Sequence, residues 1–299
     1  MTAADPAVTI IVPTRGLRER AASLQAAIES ALDQAGVHPT VVVVLNGPDR
    51  SPDVERALRD DDRVRLVVLE KGGLPAALAA GRTLVETPWF TALDDDDLLL
   101  PGALALRVRE LERRGDCAAI VTNGYRRNGN GDELHVKPGN DVNADPIRAM
   151  LEGNWLLPGS WLCRSDLIGV SVFEEMPSFL ECTYLALRIA SEHGIAWIDT
   201  PTVVYHLGSH AAESSSRAYL VGQVDGLRQI IALDLPEDVR RGLRSHIAGA
   251  YHAAADKERE FGALRNAWRW HLASLLQPSG WHYLLYTRHL LRDALRRRS

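Results

Sequence analysis

Short apolar runs alternate with helix-spaced apolar positions through the first 125 residues. Val8–Val12 (VTIIV) is β-rich and stopped by Pro13, which predicts a buried strand. Leu24, Ile28, Ala31 and Leu32 then recur at helical spacing. Val41–Leu45 (VVVVL) predicts a second buried strand, ended by Asn46-Gly47-Pro48. A short helix at Asp53–Arg59, a strand at Val64–Leu69, a helix near Pro75–Val85 and a strand at Trp89–Leu93 follow. Pro101 suits the first turn of a helix running to Arg114, and Cys117–Thr122 reads as a fifth strand.

Nearly continuous apolar strands alternating with helices predict a parallel sheet covered on both faces. Ligands of such sheets bind beyond the carboxyl ends of the strands. Here those ends carry Pro13-Thr14-Arg15, Asn46-Gly47-Pro48-Asp49, Lys71-Gly72-Gly73 and Asp94–Asp97. Neither GxGxxG nor GxxxxGK[ST] follows the first strand, so dinucleotide and P-loop sites lose their main support. Further on, Arg126–Asn143 reads as a loop or hairpin and Asp145–Glu152 as a short helix. Ser160–Cys163 reads as a strand, Glu181–His193 as a helix ended by Gly194, and Ile195–Ile198 and Val203–Tyr205 as short strands. From Ser215 the pattern is helical, broken near Leu235-Pro236 and Pro278-Ser279-Gly280.

Composition narrows the class. The chain has 299 residues, 46% hydrophobic and 24% charged, with a formal charge of −5, close to a soluble globular average. Cys117, Cys163 and Cys182 form no disulfide framework and have no metal-ligand spacing, so a reducing, cytoplasmic setting is the expectation. MTAADPAV lacks a basic leader region, and no run approaches the ~18 apolar residues of a spanning helix. The acidic total argues against a nucleic-acid partner.

Asp94-Asp95-Asp96-Asp97 directly follows the apolar run WFTAL. At ~5 Å and an effective dielectric of ~20, each close carboxylate pair costs roughly 3 kcal/mol. A hard divalent cation, Mn²⁺ or Mg²⁺, relieves that repulsion through oxygen ligands. The plainer alternative is an acidic, solvated helix entry ahead of Pro101.

VPTRG (Val12–Gly16), ESALDQ (Glu29–Gln34), VVVVLNG (Val41–Gly47) and LDDDDLLLPGAL (Leu93–Leu104) occur in an order that resembles the family 2 glycosyltransferases, over about residues 8–210. The resemblance implies the α/β GT-A fold: a Rossmann-like, mostly parallel central sheet flanked by helices, here with a C-terminal helical extension. It implies a metal-dependent, inverting enzyme that moves a sugar from a nucleotide diphosphate-sugar to an acceptor. A UDP-sugar is the first expectation, with dTDP- and GDP-sugars as alternatives, and the acceptor is unnamed. Carried over, Pro13, Thr14 and Arg15 line the nucleotide pocket, and Asp94 contacts the ribose or shares the metal. Asp96 is the principal Mn²⁺ or Mg²⁺ ligand, with Asp95 or Asp97 assisting. Asn46 stands where the family often has an Asp that reads the base; a simple tight turn is the alternative. The Arg-Asn pair often found between Gly73 and Gly81 is replaced by Leu78 and Ala79, while Lys71 and Arg82 read as surface.

Inversion requires a base for the acceptor proton. LECTYLALRIA (Leu180–Ala190) fits the family's Glu-Asp helix opening, with Glu181 at the Glu and Arg188 at its Arg. Cys182 occupies the usual Asp position, and a thiol is ~4–5 pK units less acidic than a carboxyl. Glu181 is the expected base; a buried structural thiol and a chain with altered chemistry remain as other readings of Cys182. In VVYHLGSHAAESSS (Val203–Ser216), His206 and His210 both resemble the family's histidine, with His210 favoured as a metal or phosphate ligand. Trp155 and Trp161 read either as a sugar-stacking acceptor wall or as core.

The expected organisation is a GT-A domain over residues 1–214, with a nucleotide-sugar and metal half at 1–125 and an acceptor half at 126–214. Residues 215–299 form a helical region. Leu264–Ser299 holds seven Arg, one Asp and no Lys or Glu, so it is basic by six charges while the remainder is acidic by eleven. Interleaved Trp, Tyr and Leu suit either an anionic membrane surface or packing on the chain or a partner, a homodimer included. Two other functional classes stay open: a sugar nucleotidyltransferase, disfavoured by the single Gly in VPTRGLRER, and a catalytically silent sugar-nucleotide binder.

Overall fold

The computed structural model describes residues 5–137, 141–207 and 217–296. The chain divides into two compact units, Met1–Ser209 and His210–Ser299.

In the first unit, β1 (Ala7–Thr14), β2 (His38–Asn46), β3 (Val64–Leu69) and β4 (Trp89–Ala92) lie parallel in the order β3-β2-β1-β4. They are connected by α1 (Ala21–Leu32), α2 (Pro52–Arg59) and α3 (Leu74–Arg82). Strand alternation sends Val8, Ile10 and Val12 into one core with Leu24, Ala27 and Ile28 of α1. On the other face Gly81 lets α3 lie directly on Ile11; a side chain there would collide with it.

Beyond β4 the sheet changes character. The chain continues through β5 (Leu98–Leu99), α4 (Ala103–Arg113), β6 (Cys117–Asn128), β7 (Gly131–Leu134), α5 (Pro146–Glu152) and β8 (Trp161–Arg164). It then passes through α6 (Ser171–Glu174), α7 (Glu181–Glu192) and β9 (Gly194–His206). The strand order extends as β4-β8-β6-β9-β5, with β7 paired to β6 as a hairpin. Thus β8 intervenes antiparallel between β4 and the strand expected as the fifth of a parallel series. The two short strands expected at 195–198 and 203–205 are one strand, β9, whose register against β6 shifts between Thr122 and Tyr125. That irregularity accommodates Pro201, which has no N–H for a regular ladder. Helix α4 begins two residues after Pro101, behind Gly102 at φ 72°. The fully buried Arg107 of α4 donates to Thr202 Oγ1 and to the Trp161 carbonyl at 3.1 Å, tying β8 and β9 together. Desolvation lowers its pKa to about 9.

The second unit is helical: α8 (Arg217–Ile231), α9 (Glu237–Glu260), α10 (Leu264–Leu275), a 3-10 segment (Gly280–Tyr286) and α11 (Thr287–Arg296). Helix α9 is the axis, burying Val239, Leu243, Ile247, Tyr251 and Ala254. Arg259, paired within α9 to Asp256, joins the helix to the C-terminal segment through Tyr286 at 3.0 Å and Asp293 at 3.2 Å. No helix among the described residues is long and apolar enough to cross a membrane.

The turn after β1 is the local feature on which the sheet edge is built. Gly16 has φ 62°, and a Cβ there would strike the buried Leu45. Gly16→Ala is expected to lower stability by about 2 kcal/mol, from left-handed strain plus displacement of Leu45. Urea unfolding followed by tryptophan fluorescence measures it.

Candidate functional site

The four aspartates leave the sheet where β4 ends and turn back on themselves, the Asp97 N–H donating to the Asp94 carbonyl at 3.1 Å. Two contacts hold Asp95. Thr14 Oγ1, at the end of the neighbouring β1, donates to it at 2.5 Å, and Arg20 forms an ion pair with it. Arg20 also reaches Asp96 at 2.9 Å. Asp97 is fully buried; one oxygen accepts the His206 N–H at 2.9 Å, and the other has no hydrogen-bond partner. Burial, followed by the charges of Asp94, Asp96 and Asp95, pushes its pKa up to about 9 against the bond from His206. The carboxylate repulsion is thus handled in two ways: a guanidinium beside Asp95 and Asp96, and a proton on Asp97.

The segment that follows is latched by the ESALDQ helix. Ser30 Oγ accepts the Leu99 N–H at 3.1 Å, while Gln34 donates to the Leu100 carbonyl at 3.1 Å and accepts from the Leu104 N–H at 3.2 Å. Strand β5 in turn pairs with β9, Leu98 opposite Val204. This pairing brings Tyr205 to the carboxylates: burial, then Asp97, Asp94, Cys182 and Asp96, push its phenol up to about 12. His206, the next residue on the strand, faces the opposite side, toward Asp132 of β7.

Helix α7 contributes the other wall. It starts at Glu181 behind Leu180 in the left-handed region, φ 68°. Half-buried Cys182 lies close enough for its pKa to respond to the cluster: burial, then Asp94, Glu181 and Asp97, raise it well above the ordinary thiol value. Burial, helped by the carboxylates, outweighs the helix N-terminus, which alone would favour a thiolate. Cys182 therefore opens α7 as a thiol.

The structure brings together Thr14, Asp94–Asp97 and Cys182, with Pro13 and Glu181 as chain neighbours of Thr14 and Cys182, and adds Arg20 and Tyr205. Other expected residues are placed differently. Arg15 pairs with exposed Asp49 at 3.0 Å. Asn46 is buried, donating to the Thr14 carbonyl at 3.0 Å and accepting from the Gly73 N–H at 3.1 Å, so both ends of its amide lock neighbouring loops. Arg82 donates to the carbonyls of Ile168 and Ser165 and covers Phe90 at 4.7 Å, a structural role. Arg188 is engaged by Glu175 at 3.0 Å and Glu192 at 2.8 Å. The proposed tryptophan wall is corrected to core. Trp155 is 3% exposed, packs edge-on to Trp197 and donates to the Pro146 carbonyl, while Trp161 is 4% exposed among Phe90 and Phe173. Neither ring offers a face to a sugar. His210 lies outside the described residues.

Among the described residues, no three His, Cys, Asp or Glu groups are arranged as a preformed metal cage. The donor chemistry nevertheless suits Mg²⁺ or Mn²⁺: carboxylate oxygens, with Asp96 reached only partly by Arg20 at the rim of the cluster. Mg²⁺ is commonly held by one or two carboxylates and completed by substrate phosphates.

A sheet whose carboxyl edge carries a carboxylate cluster, walled by a helix N-terminus, places the first unit in the GT-A class of folds. Residues 9–159 match the family described as Glycosyl transferase family 2, and the chain belongs to that family. An uncharacterized glycosyltransferase of Rickettsia bellii is 31% identical over 179 residues, 59% of this chain and 25% of that protein. The succinoglycan biosynthesis protein ExoO of Rhizobium meliloti is 36% identical over 115 residues, 38% of this chain and 31% of that one. The chain therefore spans a quarter to a third of the length of these two relatives. In fold it is similar to S. aureus TarS 1–349 solved with UDP-GlcNAc: TM-score 0.56, 13% identity, covering 86% of this chain and 75% of that one. The same protein solved with UDP gives a TM-score of 0.55, with 13% identity over 86% of this chain and 74% of that one.

Two measurements probe the cluster itself. Burial and the neighbouring carboxylates push the Asp97 pKa up to about 9 in the fold, against an ordinary 3.8 in the unfolded chain. Unfolding between those values releases a proton, so in chelator stability is expected to fall as pH rises across that window. Asp97→Asn, which preserves the acceptor for His206, is expected to flatten the decline in a series of melting curves. Arg20→Gln removes the cation beside the buried Asp95, leaving it the Thr14 hydroxyl, and is expected to cost about 3 kcal/mol. Mn²⁺ is expected to restore more stability to this variant than to the unaltered protein, as read by calorimetric melting.

Proposed function

We propose that this chain is a metal-dependent, inverting glycosyltransferase that takes its sugar from a nucleotide diphosphate-sugar. The observation carrying this reading is that Asp94–Asp97, just after β4, meet the opening of α7, where Cys182 lies within reach of Asp94 and Asp97 and Glu181 is its neighbour, on one edge of a GT-A sheet. Such an edge offers oxygen ligands to a cation and a carboxylate to an acceptor in the same place. UDP-GlcNAc and UDP are the ligands of the TarS structures, which supports a UDP-sugar ahead of dTDP- and GDP-sugars.

Mn²⁺ or Mg²⁺, when bound, supplies Lewis-acid stabilisation of charge on the departing diphosphate. Asp96 is the leading ligand, with Asp94 on the ribose or sharing the cation. Asp97, buried and held by the His206 N–H, shapes the turn more than it reaches outward. Thr14 and Arg20 hold Asp95, and through Arg20 also Asp96, in position. Pro13 and Arg15 border the nucleotide side; Asn46 keeps the Thr14 and Gly73 backbones together beneath it. Glu181 accepts the acceptor's proton, because Cys182 is held as a thiol. The charge on Cys182's neighbours also gives a second reading its support: a protein that binds the donor and lacks an effective base.

Nucleotide release from UDP-, dTDP- and GDP-sugars with Mn²⁺ or Mg²⁺ separates these readings. Asp96→Ala is expected to abolish cation-dependent release, and Glu181→Gln to lower turnover by about 100-fold or more with donor affinity little changed. Failure to bind any donor with either cation would defeat the glycosyltransferase reading. Donor binding without transfer, restored by Cys182→Asp, would establish the second.

A further inference from the structure

Eight of the nine large apolar side chains exposed among the described residues lie between Phe261 and Leu295, in the second unit. Their spacing is ordered. The exposed positions of α10 are Arg265, Asn266, Arg269 and Leu272, with exposed Leu276 capping it; Arg265, Arg269, Leu272 and Leu276 fall at helical spacing on one face, while Ala267, His271 and Ser274 are buried. The end of the chain repeats this arrangement. Leu284, Leu285, Arg288, Leu291, Arg292 and Leu295 are exposed, whereas Leu290 is fully buried, Tyr286 donates to Asp256, and Asp293 meets Arg259 at 3.2 Å. Trp281, 67% exposed, lies between the two helices in sequence.

Helix α10 thus docks on its own unit with small or polar groups and α11 with the single Leu290, and both turn leucine and arginine outward. That reverses what a surface helix in water does. Leu276 is 84% exposed, Leu285 73% and Leu295 69%, so these side chains gain little from the fold itself. The segment's one acid, Asp293, is spent on Arg259, so the outward arginines face no acidic counterpart on their own helices except Asp293 itself, 3.9 Å from Arg292.

We propose that this face, formed by α10, the 3-10 segment and α11, seats the protein on an anionic lipid bilayer surface. Charge complementarity selects the occupant. Guanidinium groups pair with phosphate oxygens, their aliphatic stems lie along apolar surface, and leucine and tryptophan tips between them enter the acyl boundary. Among the described residues Arg265, Arg269, Arg288 and Arg292 against Asp293 leave this region positive, which matches a phosphate-bearing plane. No residue of this face belongs to the carboxylate edge, so the inference stands or falls apart from the donor reading.

Flotation of the full chain with phosphatidylcholine vesicles, with and without phosphatidylglycerol, tests it. Binding is expected only with phosphatidylglycerol and is expected to be lost at high salt. R288Q/R292Q is expected to weaken it roughly thirtyfold, and L291S/L295S to remove it, with melting behaviour unchanged because all four side chains are exposed. Absence of binding, or equal binding to neutral vesicles, would overturn the proposal. So would a chain that ignores vesicles while L291S/L295S shifts its sedimentation from dimer to monomer. The salt dependence of the unaltered chain decides the matter even where a variant misfolds.

Discussion

Like charges on four consecutive residues must be kept from driving one another apart, and the geometry of the sheet edge follows from how this chain does so. Asp95 and Asp96 share the Arg20 guanidinium, Asp95 also takes the Thr14 hydroxyl, and Asp97 is buried against the His206 N–H. These contacts come from β1, the turn after it, and β9. The cluster therefore requires that distant parts of the first unit meet at one point. Strand β5 makes that possible by joining the segment after Asp97 to β9, and α1 holds the same segment from the other side through Ser30 and Gln34. Arg20 and a preserved proton on Asp97 relieve the repulsion in the protein alone. Under the proposed function, a cation and a diphosphate enter this already organised edge, so the chain's own compensation sets what the cation must compete with.

The same constraint explains why the recurring pieces of the sequence occur together. VPTRG provides the Thr14 hydroxyl and the left-handed Gly16 that turns the chain toward Arg20. ESALDQ provides the latch on the residues after the aspartates. Asn46 of VVVVLNG ties the ends of β1 and the loop before α3. Each piece is ordinary alone; their contacts with one another make the edge.

Much of this was legible in the chain. VTIIV, VVVVL and VRLVVL are buried or half-buried strands because both faces of a parallel sheet are covered, and their carboxyl ends mark the site edge. Other features carried no local signal. Strand β8 is four residues long, and nothing in WLCR specifies an antiparallel place between β4 and β6. Pro201 divides an apolar pattern that is one strand in space, because a bulge absorbs it. Arg20 resembles any arginine of the solvated run RGLRER until the turn at Gly16 returns it to Asp95. Tyr205 was discernible only by counting alternation from a strand whose partner, β5, is two residues long. The tryptophans illustrate the reverse problem: Trp155 and Trp161 are suited to sugar stacking by type, but their neighbours Trp197, Phe90 and Phe173 enclose them.

A crystal of the chain soaked with UDP and Mn²⁺, with anomalous scattering collected for manganese, examines the central claim most directly. The account predicts a single strong manganese peak between the Asp96 carboxylate and two phosphate oxygens, with Arg20 drawn off Asp96 and Asp97 still bound to the His206 N–H. Nucleotide bound away from this edge, or manganese absent from it while Arg20 keeps both Asp95 and Asp96, would contradict it.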